Sequence, residues 1–334
     1  MKKQLSVWRL IADSIQQEVP VMLLYVLESK GSSPGRRGFF MAVNARDEME
    51  GSIGGGIMEH KFIDMAKEHL KVVARLGQPD ESSRLPESAV RKQIHDKVAA
   101  KNRSGMICSG EQTIFLYRVQ KKDLVPVQNI VSSLQQNKNG RLKLSPAGIK
   151  FSKSIPKKNF HFAMNSKEDW LYQEKIGFKN QLFIIGGGHC ALSFSKLMSE
   201  MDFYIRVYDE RKNLKTMVEN ETAHEKHFIV DYAELDSLIP AGNNHYVVIM
   251  TFGYRTDDIA LRAILKKDFK YLGLLGSKSK IERMFKDYRK QGIEESLLRR
   301  IHTPVGLQIK SQTPAEIAVS IAAEIIQVKN KDLP

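Results

Sequence analysis

The feature that most constrains the fold is a glycine-rich turn between an apolar strand pattern and a helical pattern, LFIIGGGHCALSF at residues 182–194. Gly186, Gly188 and Ala191 satisfy G-x-G-x-x-G/A, and Asp209 ends the next predicted strand, 23 residues after Gly186. In a dinucleotide-binding fold such glycines permit a tight turn close to a phosphate, the helix amides bind that phosphate, and the acid binds a ribose. The pattern predicts a Rossmann-like fold, although this fold alone does not fix the ligand.

The rest of the C-terminal sequence supports the same fold. Apolar strand patterns alternate with helical patterns throughout residues 179–334, which predicts a doubly wound parallel sheet. Ligands bind at the carboxyl edge of such sheets, where Gly276, Ser277 and Lys278 follow a predicted strand. We therefore predict a Rossmann-like domain over residues 179–334, with cofactor contacts from Gly186, Gly188, Asp209 and the segment 276–278.

The N-terminal part carries two further glycine loops, GSSPGRRGFFMAV at residues 31–43 and GSIGGG at residues 51–56. Around them the pattern predicts helices at 6–18, 57–76 and 125–136 and strands at 20–28, 39–45 and 112–119. We predict a smaller α+β domain over residues 1–136. Residues 137–178 have no strong period and are interpreted as a connector.

The positive charge is concentrated in the first half of the chain. The net charge is +14, and residues 1–175 contain 29 Lys and Arg against 18 Asp and Glu. This excess indicates an anionic ligand or partner, with a solubilising surface as the alternative. Nucleic acid is not expected, because the lysines are scattered and not interleaved with aromatic residues.

The cysteine content and the apolar runs bear on the compartment. Cys108 and Cys190 are too few for a disulfide framework and suit a reducing compartment. No apolar run approaches the 20 or so residues that a membrane span needs, and the N-terminal pattern is amphipathic rather than that of a secretion signal. We expect a cytoplasmic protein without membrane association. No His or Cys spacing predicts a metal site.

The order of the motifs resembles the XdhC/CoxI family of xanthine and carbon monoxide dehydrogenase accessory factors. The resemblance rests on these blocks: KGSSPGRRGFFMAV, GSIGGGIMEH, GMICSG, FIIGGGHCALSF, VYDER, VVIMT, YLGLLGSKSKIERM and HTPVGLQIKSQTPAEIAVSIAAEII. It implies a maturation factor or chaperone rather than a catalyst, one that binds molybdenum cofactor (molybdopterin) while a cysteine desulfurase installs its sulfur. The cofactor would then pass to a molybdenum hydroxylase such as xanthine dehydrogenase. We expect a homodimer.

Several N-terminal residues then become candidates for binding a flat, anionic cofactor. The glycine loops would close over it, Arg36 and Arg37 would hold its charged groups, and Cys108 would contact its sulfur. The candidate binding residues of these loops are Gly31, Ser32, Ser33, Arg36, Arg37, Gly54, Gly55, Gly56 and Glu59. The alternatives are glycines that only form turns, a Glu59 that only stabilises the helix dipole, and an inert Cys108.

The sequence departs from the family pattern at two positions. The usual Cys-Gly-Gly turn is Cys108-Ser109-Gly110, and the usual Met-Thr-His is Met250-Thr251-Phe252. The missing histidine argues against proton transfer or metal binding there. The alternative functions are an NAD(P)-dependent oxidoreductase, favoured by the glycine motif and Asp209, and a nucleotide-binding regulatory protein.

Overall fold

The chain of the computed structural model divides into two units, Met1–Gly177 and Phe178–Pro334. Residues 2–76, 88–94 and 110–331 are described. Elements of the first unit are, in chain order, α1 (Lys2–Gln16), β1 (Val21–Gly31), β2 (Phe40–Asn44), β3 (Met49–Ser52), α2 (Gly56–Leu76), β4 (Ser88–Ile94), β5 (Gly110–Arg118), α3 (Leu124–Gln135), β6 (Gly140–Ser145), β7 (Gly148–Ser152), β8 (Phe160–Met164) and β9 (Trp170–Ile176).

The first five strands form one antiparallel sheet in the order β3-β2-β1-β5-β4. Strand β1 lies at its centre, and both of its faces are buried. Met22, Leu24 and Val26 share a core with the apolar face of α2, while Leu23 and Tyr25 share another with α1 and α3. This double burial explains why the sequence of β1 is continuously apolar rather than alternating.

Residues 137–178, interpreted as a connector, instead contain a second antiparallel sheet in the order β7-β6-β9-β8. Leu142, Leu144, Trp170 and Tyr172 belong to the same apolar core as β1. The observed first unit therefore runs to Gly177 rather than to residue 136, and it is the larger of the two units. Strand β3 is a further strand that was not among those predicted from the sequence.

The second unit confirms the predicted Rossmann-like fold class. Its elements are β10 (Asn180–Ile185), α4 (His189–Ser199), β11 (Phe203–Asp209), α5 (Lys215–Val218), β12 (Glu225–Phe228), α6 (Leu235–Leu238), β13 (Gly242–Ile249), α7 (Tyr254–Ile264), β14 (Phe269–Leu274), α8 (Lys278–Lys290), α9 (Glu295–Leu298), β15 (Ile301–His302) and α10 (Pro314–Asn330). All six strands are parallel, in the order β12-β11-β10-β13-β14-β15. This is the strand order of dinucleotide-binding folds.

Helices cover both faces of this sheet. Side chains of α4 and α10 pack on one face, and side chains of α7 and α8 pack on the other. The carboxyl ends of β10, β11 and β13 are thereby left at one edge, where ligands bind in open α/β sheets. Within the described ranges, no helix is long and apolar enough to cross a membrane.

Candidate functional site

The first glycine loop leaves the end of β1. Gly31 has a φ of 61°, a conformation that favours glycine, and its carbonyl accepts a hydrogen bond of 3.0 Å from Nη1 of Arg36. Ser33 is buried, and its hydroxyl donates to the carbonyl oxygen of Gly35, whereas Ser32 is exposed. The loop is thus held by its own contacts, and Arg36 is part of them.

Arg37 lies at the other end of this loop. Its backbone N–H donates to the hydroxyl of Ser29, and its guanidinium lies 3.7 Å from a carboxylate oxygen of Glu28. The side chain is 36% exposed. Arg37 therefore has a partly solvated guanidinium that an anion can reach.

The two glycine loops lie directly against each other. A Cβ atom on Gly35 would be 1.9 Å from the carbonyl oxygen of Ile53, and one on Gly54 would be 2.3 Å from the amide nitrogen of Gly35. The buried amide of Gln112, on β5, joins both loops by donating to the carbonyl oxygens of Gly35 at 2.7 Å and Ile53 at 3.3 Å. Gly35 and Gly54 cannot carry side chains because the backbones of the two loops are in direct contact there. Neither position is itself open to a ligand.

Gly55 differs from these two glycines. Its φ is +76°, and a Cβ atom placed on it would meet nothing within 4 Å. Gly56 also has a positive φ, 73°, and begins α2. The open space of the second loop is therefore at its tip, beside the N-terminus of α2.

Glu59 closes this loop onto the helix. Its Oε2 accepts hydrogen bonds from the hydroxyl of Ser52 at 2.6 Å, from the amide of Ile53 at 2.8 Å and from the amide of Gly55 at 3.0 Å. Burial opposes ionisation of the carboxyl, but the bonds from Ser52 and the two amides outweigh it and lower the pKa of Glu59. Glu59 thus positions the loop and occupies amides that would otherwise face an incoming anion.

Cys108 and Ser109 lie outside the described residues, and β5 begins at the next position, Gly110. Gly110 pairs with Gly31 across the sheet. A Cβ atom on Gly110 would be 2.8 Å from the carbonyl oxygen of Lys30 and 2.8 Å from the amide of Ser33. Strand β5 therefore begins directly against the first glycine loop.

The glycine motif of the second unit has the predicted form. Gly186 has a φ of +104°, and a Cβ atom there would be 2.4 Å from the carbonyl oxygen of Met250. Gly188 is the N-cap of α4, forms no side-chain cap, and has nothing within 4 Å of its Cβ position. Gly188 thus leaves the open approach to helix amides that phosphate binding requires.

Asp209 ends β11 beside this motif and is fully buried. Its carboxylate accepts hydrogen bonds from the amide of Gly187 at 2.7 Å, and from the amide, Nε and Nη2 of Arg211 at 2.8, 2.8 and 2.7 Å. Burial opposes ionisation of the carboxyl, but Arg211 and Gly187 outweigh it and lower the pKa of Asp209. The predicted ribose-binding acid is therefore an internal acceptor for Arg211.

A second ion pair lies beyond β13. Asp257 of α7 is fully buried and pairs with Nζ of Lys280 of α8. The hydroxyl of Thr251 donates to the same carboxylate, at 2.5 Å. Burial raises the pKa of Asp257, and Lys280 and Thr251 reduce that rise. This pair joins α7 to α8, and Thr251 connects it to the loop after β13.

The predicted residues 276–278 lie where β14 leads into α8, which begins at Lys278. The hydroxyl of Ser277 caps α8 by accepting from the amide of Lys280, and Lys278 is exposed. Phe252, at the position of the family histidine, is 65% exposed, and Cζ of Arg211 lies 5.1 Å from its ring centroid. Phe252, which cannot transfer a proton, therefore contacts the guanidinium of Arg211 through its ring.

The candidate residues fall into two groups. One lies around the loops at the end of β1 and the start of α2, and the other lies at the carboxyl edge of the parallel sheet. Sequence reasoning did not select Gly35, Gln112 or Arg211. The sequence signals for Arg211 were its place two residues after Asp209 and its place in the family block VYDER. Among the described residues, no group of three or more His, Cys, Asp or Glu side chains is arranged to hold a metal ion.

Comparisons with curated proteins find two partial relatives. The chain is 25% identical over 319 residues to the uncharacterized protein YqeB of Escherichia coli (strain K12), covering 94% of this chain and 44% of that protein. It is 26% identical over 162 residues to a probable xanthine dehydrogenase subunit of Bacillus subtilis (strain 168), covering 48% of this chain and 46% of that protein. In both comparisons the match spans less than half of the relative.

A solved structure shares the fold over nearly the whole chain. The crystal structure of a xanthine dehydrogenase from Bacillus halodurans superposes with a TM-score of 0.69 at 21% identity, covering 97% of this chain and 96% of that chain. Two family models also match, the XdhC and CoxI family over residues 14–76 and the XdhC Rossmann domain over residues 182–325. Together they span more than half of the chain, and they contain both glycine loops and the Rossmann motif. The chain belongs to the XdhC and CoxI family.

Proposed function

We propose that this protein is an accessory factor that binds molybdenum cofactor and delivers it to a molybdenum hydroxylase of the xanthine dehydrogenase type. The observation that carries the proposal is the meeting of two family blocks, together with Gly110 of a third, at one end of the first sheet. The loops at 31–38 and 52–56 contact each other, and Gly110, which follows Cys108 and Ser109, contacts the first loop. Family membership and the name of the Bacillus subtilis relative support the choice of client.

The described residues fit a ligand that is flat and anionic. Open space lies at Gly55 beside the N-terminus of α2, and at Gly188 beside the N-terminus of α4. The amides at the N-terminus of α4 favour negative charge, as the phosphate of a pterin cofactor would supply, whereas the amide of Gly55 already donates to Glu59. Arg37 adds a partly solvated guanidinium near the first loop. When bound to the client, the cofactor would supply the redox chemistry, and the accessory chain would bind, shield and release it.

Cys108 is the residue that could contact the sulfur ligand of the cofactor. A partner cysteine desulfurase would supply the sulfur, and the accessory chain would hold the acceptor. Cys190 is the natural comparison, because burial in α4 raises the pKa of its thiol and disfavours the reactive thiolate. The two cysteines thus differ in the role that we propose for them.

The test is coexpression with a xanthine dehydrogenase, followed by assays of hydroxylase activity and of molybdopterin in the purified accessory protein. We expect molybdopterin to copurify with the wild-type chain, Cys108→Ala to abolish activation of the hydroxylase, and Cys190→Ala to preserve it. Absence of molybdopterin from the purified protein, together with full hydroxylase activity in cells that lack the chain, would refute the proposed function. Full activation by Cys108→Ala would refute the role of the cysteine alone.

The runner-up function, an NAD(P)-dependent oxidoreductase, retains one specific observation, the open glycine motif at Gly188. Turnover of NADH or NADPH with no client enzyme present would favour it. Assays of NAD(P)H turnover and of hydroxylase activation therefore distinguish the oxidoreductase function from the accessory function.

A further inference from the structure

The acceptor capacity of Asp209 limits which nucleotide the second unit can bind. A carboxylate offers about four lone-pair positions. Asp209 accepts four hydrogen bonds, one from the amide of Gly187 and three from Arg211. A ribose hydroxyl that approached this carboxylate would have to displace one of these bonds. The usual contact of an unphosphorylated NAD ribose is therefore already taken within the protein.

The residue that occupies Asp209, Arg211, is itself available to a ligand. A guanidinium carries five N–H donors, and Arg211 spends Nε and one Nη2 hydrogen on Asp209, so that three donors have no partner among the described residues. The Asp209 contacts fix its plane, and the ring of Phe252 lies 5.1 Å from Cζ. The side chain is still 36% exposed. A fixed, partly exposed guanidinium with spare donors suits a phosphate, which it can bind through two parallel hydrogen bonds.

The position of this guanidinium relative to the glycine motif is set by Asp209. The same carboxylate oxygen, Oδ2, accepts from the amide of Gly187 and from Nη2 of Arg211. Arg211 therefore lies beside the turn that leads to the open N-terminus of α4. A ligand with one phosphate at Gly188 and a second on the adjoining ribose would meet both groups.

A buried hydroxyl lies at the same place. Tyr232 follows β12 and is 1% exposed, and its hydroxyl forms no hydrogen bond of standard geometry among the described residues, although the backbone of Glu210 lies close enough to lower the pKa of the phenol. Burial and the charges of Asp209 and Glu210 raise the pKa of this phenol, so it stays protonated and remains a donor. A polar group of this kind is commonly satisfied by a ligand or by water.

We propose that the second unit contains a nucleotide site selective for a dinucleotide with a ribose 2′-phosphate, of the NADP type, over its unphosphorylated counterpart. Arg211 binds the 2′-phosphate, Asp209 orients Arg211, and the turn at Gly186–Gly188 receives the pyrophosphate. Phe252 supports the guanidinium from one side, which gives a purpose to the residue that replaces the family histidine. The site lies within the second unit and does not depend on the proposed function in cofactor delivery.

The test is titration of the full chain with NADP+ and NAD+ by calorimetry, using protein from a host that makes no molybdopterin. We expect NADP+ to bind roughly ten- to hundredfold more tightly than NAD+, the range expected for charge-assisted hydrogen bonds from one arginine. Arg211→Ala should abolish this preference, by weakening the binding of NADP+ and by freeing acceptor positions on Asp209 for the ribose hydroxyl of NAD+. Arg211→Lys should retain part of it, because the charge remains while the paired donors are lost.

Arg262→Ala is the matched control. Arg262 also pairs with a carboxylate, that of Asp258 at 3.0 Å, and also lies over a ring, that of Tyr288 at 4.4 Å, but on α7. This variant should keep the wild-type preference. Equal affinities for the two dinucleotides, no binding of NADP+ at millimolar concentration, or an unchanged preference in Arg211→Ala would each overturn the proposal. None of these results bears on whether the glycine loops of the first unit bind molybdopterin.

Discussion

Replacing Gly35 by alanine should force the two N-terminal glycine loops apart. The added Cβ would lie 1.9 Å from the carbonyl oxygen of Ile53 and 2.5 Å from Nε2 of Gln112, and Ile53 and Gln112 are both fully buried. Cβ atoms do not approach other heavy atoms more closely than 3.0 Å, so one loop has to move by more than an ångström. The substitution therefore also breaks the hydrogen bond from Gln112 to Gly35.

The expected loss of stability follows from three contributions. Overpacking of this kind costs about 1–3 kcal/mol, and the lost hydrogen bond costs about 0.5–1.5 kcal/mol. Alanine also restricts the unfolded chain, which offsets about 0.4–1 kcal/mol. The strain and the lost hydrogen bond exceed the entropic gain, and the net decrease in the free energy of unfolding is about 0.5–4 kcal/mol, centred near 2 kcal/mol. For a unit of this size the central value lowers the melting temperature by roughly 4–8 °C.

Tryptophan fluorescence reports on this unit alone. The chain has two tryptophans, Trp8 and Trp170, and both are buried in the core of the first unit. Ser32→Ala is the matched control for the melting experiment, because Ser32 lies in the same loop and is exposed. If Gly35→Ala melts within about 1 °C of the wild-type chain, the direct contact between the loops is refuted.

Two further predictions concern the same loops. Glu59→Gln should destabilise the first unit by about 1 kcal/mol at neutral pH, a modest value because the carboxylate is partly exposed. Folding lowers the pKa of Glu59, so its stabilisation is present above the ordinary glutamate value of 4.5 and is lost as the pH falls through the folded pKa. The melting difference from wild type should therefore vanish in acid, while Glu68→Gln, on the exposed face of α2, should show none at any pH. Replacing Arg36 and Arg37 together by alanine should reduce the amount of molybdopterin that copurifies with the protein. The control is replacement of Lys157 and Lys158, which are exposed between β7 and β8 and should not affect the amount of bound molybdopterin. If both double variants retain the same amount of molybdopterin, the two arginines do not bind the cofactor.

The Rossmann-like unit was predictable because its information is local. A few neighbouring residues are enough to predict each apolar strand, the turn at Gly186–Gly188 and the capped helix that begins at Pro314. The second sheet of the first unit was not predictable in this way. In β9 the buried positions are Trp170, Tyr172, Glu174 and Ile176, and a glutamate at an interior position hides the alternation. Only the fold supplies its partner Tyr25, whose hydroxyl donates to Glu174 from a strand 149 residues away.

The candidate sites show the same division. Sequence located the glycine loops, but it could not distinguish Gly35, which meets another backbone, from Gly55, which meets open space. It also located Asp209 at the expected distance from the glycine motif. That Arg211 fills the acceptor positions of this carboxylate depends on side-chain geometry, which no spacing rule encodes.

The second antiparallel sheet determines where this chain can be divided without splitting its core. Strands β6 and β9 supply Leu142, Leu144 and Tyr172 to the core that also contains Trp8 and Tyr25. The match to the XdhC and CoxI family ends at residue 76, yet part of the cover over one face of β1 comes from β6 and β9, far beyond that point. An exchange of N-terminal segments between relatives that stopped at either residue 76 or residue 136 would combine two halves of a core that did not evolve together. The smallest N-terminal segment that can be exchanged with its core intact is therefore the whole unit Met1–Gly177.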